Sequence, residues 1–73
     1  MKLVDLKQFL DKSAVLAMTD GETAKARVVF VDDEYDDIIV DILETSRPDR
    51  YRDPSASYTF AVADIVSAVL LPE

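Results

Sequence analysis

The spacing of apolar residues changes period once along this chain. In residues 2–12, KLVDLKQFLDK, Leu3, Leu6, Phe9 and Leu10 recur every three or four positions. That spacing predicts an amphipathic helix with Lys2, Asp5, Lys7, Gln8 and Asp11 on its polar side. From residue 13 onward the period falls to two, the signature of strands. Leu16 and Met18 alternate with Val15 and Ala17 in residues 13–19, and Asp20-Gly21, with the only glycine, supplies a hairpin turn. Residues 24–31, AKARVVFV, form the next strand, with Lys25 and Arg27 outward. The apolar run Val28-Val29-Phe30-Val31 predicts cover on both faces at its end. The acidic turn Asp32-Asp33-Glu34-Tyr35-Asp36-Asp37 leads into residues 37–44, where Ile38, Val40 and Ile42 share a face opposite Asp37, Ile39, Asp41 and Leu43.

Residues 45–57, TSRPDRYRDPSAS, break both periods and read as a loop. Tyr58, Phe60 and Val62 then alternate in a strand over 57–62. Ala63-Asp64 is a tight link to a last strand, 65–71, which Pro72 ends. A helical segment over 1–12 and five short strands in meander order predict a mainly β fold, a strongly bent sheet closing into a small barrel. An OB-like barrel places a helix between its third and fourth strands. The proline-bearing loop is a poor helix there, so an SH3-like barrel is preferred.

Composition narrows the chemistry. Seventy-three residues form one domain, 1–73, with a limited core. Cysteine and histidine are both absent, which removes disulfides, thiolate metal sites and the commonest general base. Ser13, Thr45 and Ser46 therefore lack an activating partner, and no enzyme and no cofactor are expected. The remaining way to reinforce so small a core is association, and a 49% apolar content fits that. Fifteen acids against eight bases give a charge of −7, which repels polyanions on average. No apolar run approaches the roughly eighteen residues of a membrane span. The start of the chain lacks a signal-peptide core, so a cytoplasmic location is expected.

The stretch 14–41 resembles the first signature motif of Sm-like proteins. Ala14, Leu16 and Met18 alternate into Asp20-Gly21, Ala24 and Val28 take family apolar positions, and Ala26 stands where the family has a glycine. Asp32 falls on the acidic residue opening the third turn, Tyr35 on its apolar residue, Asp36 on its asparagine, and Ile39 and Asp41 on the closing pair. The second motif, an apolar-Arg-Gly triplet, falls on Phe60-Ala61-Val62 and lacks both the arginine and the glycine. Residues 13–44 thus correspond to the first motif and 57–71 to the second. The resemblance implies an Sm-like barrel that assembles into rings. It also implies RNA-contact positions at Glu34, Asp36 and Ala61. Glu34 has no stacking face, Asp36 lacks an amide donor, and Ala61 has no guanidinium, so the usual uridine pocket would be a negative rim.

Two clusters outside that pattern invite a test. Asp32, Asp33 and Asp36 offer oxygen ligands, but their spacing is not that of a calcium loop, and a solvated turn is the simpler expectation. Arg47, Arg50, Tyr51 and Arg52 form a basic-aromatic loop able to hold phosphate or stack a base. Asp49 and Asp53 interleave with those bases, which predicts local ion pairs.

The last two strands lack internal charge from Ser57 to Val62 and from Ile65 to Leu71. Uncharged edges invite strand addition. Tyr58, Phe60, Val62, Ile65, Val66 and Val69 are therefore the expected interface residues. In Sm rings the fourth strand of one subunit pairs with the fifth of the next, a head-to-tail contact that closes into a ring of about five to seven copies. The expected role is a ring-forming scaffold or binding protein. RNA association stays open only away from the usual uridine pocket. The alternative is a monomeric or dimeric SH3-like adaptor for a peptide or protein partner.

Overall fold

Alternation over the middle of the chain produces the strands it predicts. In the computed structural model, which describes residues 1–51, 53 and 55–72, these are β1 (Ser13–Met18), β2 (Thr23–Asp32), β3 (Asp37–Thr45), β4 (Ser57–Ala61) and β5 (Ile65–Leu70). All neighbours pair antiparallel, in the order β4-β3-β2-β1-β5, so β4 and β5 are the sheet's two edges. Yet β4 and β5 are joined by only the 3₁₀ turn Val62–Asp64. Laid flat, the two edges would lie roughly 19 Å apart. The link from Ala61 to Ile65 reaches at most roughly 14 Å. The sheet must therefore curl strongly, while remaining open between β4 and β5.

Curling places one side-chain set inside. Ala14 and Leu16 of β1, Ala24, Ala26 and Val28 of β2, and Ile38 and Val40 of β3 are buried. Lys25 and Arg27 point outward as expected. Gly21 sits in the β1–β2 turn at φ +92°, a conformation for which a residue without Cβ is favoured.

The helical segment is shorter than its periodicity predicts. Leu3–Leu6 is α-helical (α1) and Lys7–Phe9 is a 3₁₀ turn. Leu6 and Phe9 are buried against the sheet, but Leu10 is exposed. The helix ends because the next backbone is claimed by β2. The Asp11 N–H donates to Val28 O at 2.7 Å, and the Val28 N–H donates to Lys12 O at 3.0 Å. Asp11 adopts φ +63° to make that turn.

The run Val28–Val31 is likewise not covered on both faces. Val28 pairs with Val40 and Phe30 with Ile39, leaving Val29 as an extra residue in a bulge. The bulge turns Phe30 outward, 50% exposed, and brings Val31 against the core. A second irregularity makes Leu43 the extra residue between the pairs Lys25–Glu44 and Ala26–Ile42.

Substituting Leu16→Ala is expected to lower unfolding free energy by about 2–5 kcal/mol in urea denaturation. Val4→Ala, at an exposed position of α1, is expected to change it by less than about 0.5 kcal/mol.

Candidate functional site

The side chain that organises the described surface is an acid. Glu22 follows the β1–β2 turn and is in phase with the inward residues Ala24, Ala26 and Val28, and it is only 2% exposed. A buried carboxylate is costly unless every lone pair finds a donor. Here the donors come from the 45–51 segment. The Thr45 hydroxyl donates to Oε2 at 2.6 Å, the Tyr51 hydroxyl to Oε2 at 2.7 Å, and Arg50 Nη1 to Oε1 at 2.9 Å.

Asp20 completes the cluster from the turn. Its Oδ1 accepts the Glu22 N–H at 3.0 Å, and its Oδ2 accepts Arg50 Nη1 at 2.6 Å. Arg47 Nη2 donates to the Asp20 carbonyl at 2.9 Å. These donors, first the Glu22 N–H and then Arg50, hold the Asp20 carboxyl below its ordinary range. Tyr51 is shifted the other way: burial, then the bond to Glu22 and its charge, push the phenol far above its usual value. The Tyr51 ring meets Tyr58 edge-on, with centroids 4.9 Å apart, and lies 6.2 Å from Phe60.

The basic loop is therefore a latch. Asp49 and Asp53 are not the ion-pair partners of Arg47 and Arg50; the partners are Asp20 and Glu22, more than twenty-five residues away in sequence. Asp53 instead accepts the Ser55 hydroxyl and N–H, which lowers its carboxyl pKa. Arg52 lies outside the described residues. Sequence reasoning missed Glu22, although its parity with Ala24, Ala26 and Val28 is a readable signal.

The acidic turn is also engaged. Asp32 Oδ1 accepts the N–H groups of Glu34 at 2.9 Å and Tyr35 at 3.2 Å, and Asp33 pairs with Lys7 at 3.0 Å. Among the described residues no three acidic side chains, Asp32, Asp33 and Asp36 included, gather as a group that could hold a metal ion. Asp36 takes φ +56°, a conformation in which Asp and Asn are enriched. Its carbonyl accepts the Val62 N–H at 3.1 Å, and Asp37 pairs with Ala61. The fold thus brings Asp36 and Ala61 together, with exposed Glu34 two residues away on the same turn.

The expected interface residues divide. Phe60, Val62 and Ile65 place their side chains in the chain's own core. Tyr58 is half-buried, and its hydroxyl donates to the Asp53 carbonyl. Val66 and Val69 are 58% and 63% exposed. Backbone groups supply the rest of each edge. The Val62 N–H faces β3, so by antiparallel alternation Thr59 and Ala61 turn theirs to the open side. The Leu71 N–H donates to Ser13 O at 2.9 Å, so Ala68 and Leu70 turn theirs away from β1.

A cavity of about 360 Å³ fills the open side of the curl, between the latch, β4 and the 3₁₀ turn before β5. Among the described residues no helix is long and apolar enough to cross a membrane. Compared with protein-family models, curated proteins and solved structures, the chain matches none.

Glu22→Ala leaves the Thr45 and Tyr51 hydroxyls without their acceptor and Arg50 with Asp20 alone, and is expected to cost about 2–3 kcal/mol in denaturant unfolding. Asp49→Ala is expected to cost less than about 0.5 kcal/mol. The raised Tyr51 pKa gives a contribution fully present below about pH 10, the unfolded value, that is lost as pH climbs toward the folded value. Unfolding free energy should thus fall in alkali above about pH 10, and Tyr51→Phe should flatten that decline. The lowered Asp20 pKa works at the other end: its contribution is present above about pH 4 and disappears as pH falls through the folded value.

Proposed function

We propose that this chain is an Sm-like subunit that joins copies of itself, β4 of one to β5 of the next, into a ring of about five to seven members serving as a scaffold or binding platform. One observation carries the reading. Among the described residues the two strands with a free edge are β4 and β5, and neither has a charged residue to block pairing. Outward backbone groups at Thr59, Ala61, Ala68 and Leu70, with the exposed side chains of Val66 and Val69, give such a contact both hydrogen bonds and apolar area.

The usual uridine pocket is not part of this proposal. The three positions that the resemblance assigns to it carry two carboxylates and a methyl group. Lys7 offsets only Asp33 among the neighbouring acids. A phosphate backbone would meet net negative charge there.

A second reading has its own support. Phe60, Val62 and Ile65 are buried without any neighbour, so a single copy has a core of its own. A free-standing SH3-like adaptor would need that.

Light scattering at micromolar concentration separates the two. The ring reading expects one closed oligomer, and a monomer decides for the adaptor. Leu70→Pro removes an outward N–H without removing a bond to β1 and is expected to yield folded monomers by circular dichroism and light scattering. Titration with oligo-U at low salt is expected to show no binding stronger than that of oligo-A.

A further inference from the structure

The cavity on the open side has a chemistry that neither the ring nor the adaptor reading uses. Four successive β4 residues, Tyr58 to Ala61, line it. Side chains on a strand alternate between faces, so a space touching four in a row runs along the strand's edge. The opposite wall is Thr19 and Asp64, held together by the Thr19 N–H donating to the Asp64 carbonyl at 2.9 Å. The floor is the latch, where Asp20, Glu22 and Arg50 reach the same space.

We propose that this cavity binds an organic cation, an alkylguanidinium or alkylammonium group on an aliphatic stem. Charge is the first reason. Asp20, Glu22 and Asp64 outnumber the two guanidinium groups beside them, Arg50 in the lining and Arg47 on Asp20, so an anion would enter a net negative space. Acceptor supply is the second. The hydroxyls of Thr19 and Thr59 and the Asp64 carboxylate all accept hydrogen bonds. Among the described residues Asp64 makes no ion pair.

The rings of Tyr51, Tyr58 and Phe60 supply the third reason. Aromatic groups beside carboxylates suit a cation with an apolar stem. The chain already shows the mode at the cavity floor, where its own Arg50 guanidinium is shared by Asp20 and Glu22. A bare metal ion is the poorer occupant, since among the described residues no three acids converge on one point. The volume, at the lower end of the range for small-ligand sites, suits one such group. All these residues belong to one copy, so the site goes beyond the proposed assembly. A neighbour's β5 paired to β4 would occupy the space along that edge, so the site is offered by the free subunit.

The test is an amide NMR titration of the full chain, as wild type and as Leu70→Pro, with N-acetyl-arginine amide and its neutral isostere N-acetyl-citrulline amide. The expected result in the Leu70→Pro form is saturable shifts at Thr19, Thr59, Ala61 and Asp64 with the arginine compound and none with citrulline, and in the wild type the same shifts weakened to the extent that a neighbour's β5 covers the β4 edge. Asp64→Asn, at an exposed position, is expected to weaken binding at least about threefold while unfolding like wild type. A Gly-Arg-Gly peptide binding more tightly than the amide assigns the cation to a protein side chain; equal or weaker binding assigns it to a free small molecule. Silence in both forms, equal response to citrulline, or unaltered affinity in Asp64→Asn would each overturn the proposal. Because Leu70→Pro is read separately by light scattering, failure here is distinct from failure of the ring.

Discussion

A single buried carboxylate holds the loop side of this molecule in place. Glu22 stands where an alternating strand would put an apolar residue, and it is stable there because Thr45, Tyr51 and Arg50 all donate to it. Removing it from water without those donors would be strongly unfavourable, so the 45–51 segment must come to the β1–β2 turn for the fold to close. Tyr51 then reaches Tyr58 and Phe60, which ties the same cluster to β4. The rim of the cavity and the position of one sheet edge thus both depend on one acid.

That dependence recasts the basic residues. Arg47 and Arg50 look, as a run of letters, like a phosphate-binding loop. In space Arg50 is shared between two carboxylates, and Arg47 bonds the carbonyl of Asp20 and sits 3.6 Å from its side chain. A guanidinium already held by carboxylates would have to give up those bonds to take a phosphate.

The short connection from β4 to β5 imposes the other constraint. Three residues cannot bridge the two edges of a flat sheet of this width, so the curl follows from chain length. The same curl leaves an open side, and that side offers both unpaired backbone and a cavity. Bulges at Val29 and Leu43 help a small sheet bend this sharply, and they expose Phe30 and Leu43 as a consequence.

Local pattern determined the five strands, the Asp20-Gly21 turn and the outward Lys25 and Arg27, but not which of the two apolar faces of β1 turns inward. Each of these follows from period two or from backbone freedom at one residue, and neither needs a distant partner. Three features were decided only by tertiary contact. The helical segment, α1 and its 3₁₀ turn, goes no further than Phe9 because Val28 takes the backbone of Asp11 and Lys12. Phe30 turns outward because Val29 bulges against β3. Arg50 finds Glu22 rather than Asp49 because the curl brings residues 22 and 50 together. The physical reason is common to all three: hydrogen bonds and charges are satisfied by whatever lies nearest in space, and sequence alone ranks only what lies nearest along the chain.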